Sequence, residues 1–314
     1  MRKYAFISSI SFAFILFILG PVVLIAQSEL TGEWTAGPRE ARKEKSGDIL
    51  EEENSPGKIH ISFSRRSEHG KNQHSTSYAY SDLDGLSAAQ VKGGGPVSFR
   101  IVREAGTIEA EGNFANGRGS GTFRFVPSAS FVSAMRSRGF DFERQASGSK
   151  HSDTLEERLF AAATLNVTTA LADDLRSANF GDLEVDDLFK AAIFKIDGKF
   201  MAEMKATGFP DLNMEDLVKA RIFKIDAEYV RQVKDMGFSD QGFEGLVKFR
   251  IFKVTPEFLN ELRAAGLDKM SAEDIVKARI FKIDGEFIRQ ARLQEPNISM
   301  EELVQIKIGV RRGR

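Results

Sequence analysis

The chain contains no cysteine, which excludes disulfide bonds, thiolate metal sites and a lipid-modified N-terminal cysteine. It has only four histidines, His60, His69, His74 and His151, and their spacing is not that of a zinc-binding helix or an HExxH peptidase. The net charge of -1 gives the whole molecule no strong electrostatic attraction to nucleic acids or anionic membranes. We therefore expect no metal, no cofactor and no nucleic-acid partner.

The familiar sequence patterns of catalytic sites are also missing. Gly119-Ser120-Gly121 lacks the G-x-S-x-G frame of a nucleophile elbow and the strand-turn-helix context that this motif needs. Gly93-Gly94-Gly95 could cradle a phosphate, but the sequence after it is typical of a strand and not of a helix N-terminus. We predict that the protein is not an enzyme and has no catalytic residues.

The N-terminal stretch has the pattern of an export signal. Arg2 and Lys3 precede an apolar run from Ala5 to Ile25, and Ala26-Gln27 offers a cleavage point. If it is not cut, the segment at residues 4–25 could anchor the chain in the inner membrane, because a span needs ~20 residues. Residues 1–27 are thus predicted to be a signal peptide or an N-terminal membrane anchor, and the rest to be periplasmic or secreted.

Residues 28–127 are predicted to form an antiparallel β domain. Lys58 to Phe63 and Val97 to Arg103 alternate apolar and polar residues, as half-buried strands do. Asn116-Gly117 favours a tight hairpin turn. We expect one small meander of about six strands that closes into a barrel or clamshell.

Trp34 leaves two interpretations of this domain open. Gly32-x-Trp34 at the start of the first strand is similar to the lipocalin signature, in which a tryptophan closes one end of a ligand-binding barrel. Trp34 could instead be a large apolar anchor of an ordinary core, which is the interpretation we favour because a three-residue match is short. The first interpretation gives an alternative function, a lipocalin-like barrel that binds a small ligand or a glycan.

The second half of the chain is organised by a repeated segment. Leu217 to Asp226 (LVKARIFKID) returns at Leu246 to Thr255 and at Ile275 to Asp284, and a diverged copy lies at Leu188 to Asp197. The starts at 188, 217, 246 and 275 are 29 residues apart. Fainter copies begin at residues 159 and 303. A fixed period of this size is typical of a repeat array.

Cap signals divide each 29-residue unit into two helices. Asn213 and Asp226 are predicted N-caps in one unit, and Ser271 and Ser299 start capping boxes in later ones. Gly208, Gly237 and Gly266 end the second helices, while Asn179 takes this place in the first unit. We predict an α+β multidomain protein: the β domain, a half-repeat helix and polar linker (128–154), and an α-helical solenoid of about six units over residues 155–314.

The first helix of each unit is apolar nearly all round. In one copy Leu217, Val218, Ala220, Ile222 and Phe223 leave little of the helix surface polar. Such a helix must be covered on more than one side. We therefore expect the first helices to form a buried spine and Ile222 and Phe223 to be conserved between units for packing.

The repeat also carries a periodic set of cations. On a stacked array they would align as a stripe that could bind an anionic partner. Alternatively, their stems cover apolar surface and their charges pair with acids of the next unit. The candidate partner-binding residues are Lys219, Arg221, Lys224, Lys248, Arg250, Lys253, Lys277, Arg279 and Lys282.

Besides the repeats, residues 95–310 contain Arg103-Glu104-Ala105-Gly106-Thr107, Gly112-Asn113-Phe114, Gly117 to Gly121, Phe123-x-Phe125-x-Pro127 and Thr255-Pro256-Glu257-Phe258. With these motifs and the repeats, the stretch resembles a region found in bacterial BlaR-type, M56-family sensor peptidases and in stand-alone exported proteins. The peptidase half is absent, since the chain has neither HExxH nor a multi-span membrane domain, so proteolysis is not implied. The resemblance implies an extracytoplasmic sensing or docking module in a bacterium that binds another protein.

Overall fold

The computed structural model describes residues 30–38, 57–67, 70–144, 153–209 and 211–310. The signal peptide or membrane anchor predicted for residues 1–27 lies outside this part of the chain, as do His69 and His151. Within the described residues, no helix is both long enough and apolar enough to cross a membrane.

Six antiparallel strands form one sheet in the order β3-β2-β1-β6-β5-β4. Two three-stranded meanders are joined where β1 pairs with β6. The sheet is open, because β3 and β4 lie at opposite edges and do not pair, so the predicted closure into a barrel is wrong. The strands are β1 (Leu30–Gly37), β2 (Lys58–Ser67), β3 (Gly70–Ala79), β4 (Gly95–Arg103), β5 (Gly106–Ala115) and β6 (Arg118–Pro127).

Trp34 anchors the core of the sheet. It is fully buried, stacks edge-on against Phe99 with 5.2 Å between ring centroids, and donates its indole N–H to the carbonyl of Glu111 at 3.0 Å. A Cβ atom at Gly112 would lie 2.7 Å from the indole ring, so glycine there makes room for it. This packing favours the interpretation of Trp34 as a core anchor.

Thirteen α-helices lie in the described part of the chain. Two precede the repeats: α1 (Ala88–Gly93) packs on β5, and α2 (Ala129–Arg136) follows the last strand. The repeats supply α3 (Leu155–Thr164), α4 (Thr169–Ser177), α5 (Val185–Phe194), α6 (Gly198–Ala206), α7 (Met214–Ile222), α8 (Ala227–Asp235), α9 (Phe243–Ile251), α10 (Pro256–Ala264), α11 (Ala272–Ile280), α12 (Gly285–Gln294) and α13 (Met300–Lys307).

The predicted caps are confirmed. Asn213, Ser271 and Ser299 form capping boxes with the acidic residue three positions later. Gly237 and Gly266 end α8 and α10 with φ of 96° and 99°, a left-handed conformation that glycine adopts without the steric cost of a Cβ. These local signals fix where each helix begins and ends.

Each helix contacts its counterpart in the neighbouring unit. The first helices of successive units touch one another (α5 with α7, α9 with α11, α11 with α13), and so do the second helices (α4 with α6, α6 with α8, α10 with α12). Each unit therefore packs mainly on its neighbours in sequence.

Helix α3 joins the repeats to the sheet. Phe160 stacks on Phe123 with 5.1 Å between centroids and meets Phe63 edge-on at 6.0 Å. At the rim of this contact, Arg65 donates to the carboxylate of Glu157 at 2.6 Å. An aromatic cluster of this kind holds the sheet and the first unit together.

Candidate functional site

In three of the four repeats, the first lysine pairs with an acid of the next unit. Lys219 Nζ lies 2.5 Å from Glu244 and 3.5 Å from Asp216, and the hydrogen bond to Glu244 raises the pKa of Lys219. Lys277 likewise lies 3.5 Å from Glu301. Lys248 is exposed and forms no ion pair with any described residue. These lysines alternate with carboxylates along the array, so they are not an uncompensated cationic stripe.

The arginine of each repeat binds the unit before it. Arg221 lies 3.7 Å above the Phe200 ring and donates to the carbonyl of Lys195 at 2.6 Å. Arg250 does the same with Tyr229, at 3.6 Å, and with the carbonyl of Lys224, at 2.7 Å.

The last two units show the same stacking contact. Arg279 stacks on Phe258 at 3.6 Å, and in the final unit Lys307 lies 4.3 Å from the centroid of Phe287. A cation over an aromatic face, with its hydrogen bonds directed at a helix C-terminus, stabilises the contact between units. The stacking contact thus connects Arg221, Arg250 and Arg279 to the unit before each of them.

A second set of cations, not identified from the sequence, connects the second helices through hydrogen bonds to backbone carbonyls of the preceding unit. Lys234 donates to the carbonyl of Thr207 at 3.0 Å, and Arg263 donates to that of Met236 at 3.1 Å. Arg292 donates to the carbonyl of Gly266 at 3.0 Å. The signal was in the sequence: a basic residue recurs at the 29-residue period. The positions are Arg176, Lys205, Lys234, Arg263 and Arg292.

The second lysine of each repeat has an unusual backbone. Four lysines, hereafter the left-handed lysines, sit just past the C-termini of α5, α7, α9 and α11 with positive φ. Their φ angles are 56°, 52°, 52° and 52°, and the corresponding residue in the first unit is Asn166 (φ 55°). In the last unit the left-handed residue is Gly309 (φ 79°), one position after Ile308. All four are exposed. The left-handed lysines are Lys195, Lys224, Lys253 and Lys282.

The isoleucine of the repeat is exposed. Ile222 shows 47% of its surface to solvent, while Ile225, three residues later, shows 1%. The expectation that Ile222 is buried in a spine is therefore wrong, although Leu217, Val218 and Ala220 are buried as expected. The same position is 47–53% exposed in every unit from the second to the last. This isoleucine row consists of Ile193, Ile222, Ile251, Ile280 and Ile308.

The isoleucine row and the left-handed lysines lie side by side. In each of four units the lysine follows the isoleucine by two residues, at the C-terminal end of the first helix. The other edge of the row carries the Lys219–Glu244 type of ion pair, since Lys219 is one helical turn before Ile222. The result is a linear surface of alternating apolar and charged groups.

The described histidines do not form a metal centre. Among the residues that the structure describes, no group of three His, Asp or Glu side chains could hold a metal ion. His60 lies on β2 with Nδ1 3.4 Å from the hydroxyl of Ser77. His74 lies on β3 against Phe160, with 5.5 Å between ring centroids, and burial lowers its pKa although Asp153 and Glu157 oppose this.

A cavity of about 550 Å³ lies beside α2 and the start of α5. Arg158 is buried at its wall and donates to the carbonyl of Arg144 at 2.5 Å. Asp182, Glu184 and Asp186 line the same cavity. Carboxylates and guanidinium groups offset each other there, so its charge does not select a class of ligand.

Comparison of the chain with protein-family models, curated proteins and solved structures finds no match. The resemblance to the M56-family sensor proteins therefore stays a prediction.

Proposed function

We propose that the protein is an exported, non-enzymatic interaction module whose helical units stack as an α-solenoid and bind another protein. The contacts between first helices of successive units, and between second helices of successive units, support the stacking. The two sets of cation-to-carbonyl contacts support it as well, since each connects a unit to the one before it. Such an array can display a long surface made of one element per unit.

The isoleucine row is the observation that supports a binding function. Half-exposed isoleucines occur singly on most proteins and need no explanation. Here the same residue type is half-exposed at the same position of five units. A repeated apolar residue at a solvent-facing position is typical of a surface that a partner covers.

The proposal can be tested by photo-crosslinking from the row. The full chain would carry a photoreactive amino acid at position 251, or at position 231 on the exposed side of α8, and would be mixed with an envelope extract of the source organism. We expect position 251 to label one protein that position 231 does not label. Ile222→Ala with Ile280→Ala should reduce that labelling about tenfold, as expected when two apolar contacts are lost. Equal labelling from both positions, or labelling that survives the two substitutions, would refute the proposal.

A further inference from the structure

The left-handed lysines point to the chemistry of the partner. A side chain in the left-handed region costs roughly 1–2 kcal/mol because its Cβ approaches the following carbonyl oxygen. The chain avoids this cost at the second helices, where Gly208, Gly237 and Gly266 occupy the left-handed positions. At the first helices it places lysine there four times in succession. Local strain that recurs in this way indicates that the side chain itself is required.

Most other charges on this surface are already engaged, and the exception, Lys248, is also positive. The carboxylates of Glu215 and Glu244 accept from Lys190 and Lys219 of the preceding unit at 2.6 and 2.5 Å. Asp226 accepts from the backbone N–H of Tyr229 as an N-cap. By contrast, the side chains of Lys195, Lys253 and Lys282 form no ion pair or hydrogen bond with the described residues. The charges left for a partner are therefore positive.

The spacing of the row suggests the conformation of the partner. Packed helices lie about 8–10 Å apart, so this is the expected distance between isoleucines of successive units. A polyproline II segment has three residues per turn and rises ~3.1 Å per residue, which places every third side chain on one face about 9 Å apart. A segment in this conformation would match one apolar residue to each isoleucine.

We propose, on the basis of the proposed function, that the partner presents an extended acidic segment. Apolar side chains at every third position would pack on the isoleucine row, and the carboxylates between them would pair with Lys195, Lys253 and Lys282. An anionic polysaccharide would leave the isoleucines uncovered. The surface of an anionic bilayer presents phosphate groups and not a row of apolar side chains at this spacing, so an extended peptide fits this surface better.

The test uses the full chain and a fluorescein-labelled peptide of about five Leu-Glu-Pro triplets, which keeps leucine on one face of a polyproline II helix. Two control peptides have the same composition in scrambled order, or glutamine in place of glutamate. Fluorescence anisotropy should show that the designed peptide binds at least about tenfold more tightly than either control, and that salt weakens its binding.

The matched variant is Lys195→Gly with Lys253→Gly and Lys282→Gly, because glycine suits these left-handed positions and keeps the backbone intact. It should lose about tenfold in affinity for the peptide and most of the salt dependence. The inference is overturned if the wild-type chain binds no peptide, if it binds all three alike, or if the glycine variant binds as the wild type does. It is also overturned if vesicles with anionic lipid bind the chain through the same lysines. Each of these results leaves the crosslinking result from position 251 unaffected, so failure of the two proposals can be told apart.

Discussion

Single residues with the same identity have opposite roles in this repeat. Ile222 and Ile225 are both isoleucines of one unit, yet one is 47% exposed and the other 1%. Lys219 is ion-paired, whereas Lys253 is exposed at a left-handed position. The sequence pattern groups these residues together, because an apolar residue in a short helix suggests burial wherever it lies. Only the stacking geometry of the units separates them.

The left-handed lysines should cost stability, which a matched pair of glycine substitutions can measure. Lys253→Gly removes the Cβ at φ 52° and should leave the free energy of unfolding unchanged or raise it by up to about 1 kcal/mol. Lys248→Gly lies inside helix α9 and should lower it by about 1 kcal/mol, because glycine disfavours a helix interior. Urea unfolding measures both. If Lys253→Gly lowers the free energy of unfolding more than Lys248→Gly does, the left-handed backbone at position 253 is not a source of strain.

His74 should make the stability depend on pH. Burial lowers its pKa in the folded state below the usual value of 6.5, so below this pH the unfolded chain binds more protons than the folded one. The free energy of unfolding should therefore fall as pH drops below 6.5, until the folded-state pKa is reached, and should not change above it through this group. His74→Gln should flatten this part of the profile in urea unfolding measured at several pH values, whereas His60→Gln should keep it. An identical slope in the His74 variant would contradict the assignment.

Helix ends were the most predictable elements. The capping boxes at Ser271 and Ser299 and the glycine stops at Gly237 and Gly266 lie where the residues indicate, because a cap involves only a few neighbouring residues. The closure of the sheet was not predictable in the same way. Alternation identifies the strands, but whether β3 and β4 meet depends on the twist and order of all six strands.

The sequence predicts which residues make the contacts between units, but not which residues they contact. The period places Arg221, Arg250 and Arg279 at one position, but it does not show that each stacks on an aromatic ring of the preceding unit. Contacts of this kind depend on which helices become neighbours. The aromatic residues recur at their own 29-residue positions, Phe200, Tyr229, Phe258 and Phe287, which would have given the pairing.

Arg221 should therefore matter for stability. Arg221→Ala removes both the stacking on Phe200 and the hydrogen bond to the carbonyl of Lys195, and should lower the free energy of unfolding by about 1–3 kcal/mol. Arg221→Lys should recover only part of this loss. The lysine keeps the positive charge and a hydrogen-bond donor, but its ammonium group lacks the planar face of a guanidinium. Arg231→Ala, on the exposed side of α8, serves as the control and should have little effect in urea unfolding. Equal effects at positions 221 and 231 would mean that the stacking contributes nothing.

At the scale of the whole molecule, one set of residues connects neighbouring units and another stays exposed. Paired lysines, stacked arginines and the cations of the second helices connect neighbouring units. The aromatic cluster around Phe160 attaches the array to the sheet. The isoleucine row and the left-handed lysines remain on the surface, and the proposed function rests on them.

The central claim is that the isoleucine row serves binding and not packing, and the most direct test is one substitution at two sites of one unit. Ile225→Ala removes a residue that is 1% exposed and should lower the free energy of unfolding by about 2–5 kcal/mol. Ile222→Ala removes one that is 47% exposed and should cost less than about 1 kcal/mol, since little burial is lost. Urea unfolding of the two variants beside the wild type gives both values. Equal losses at the two positions would show that Ile222 is part of the core and would contradict the claim.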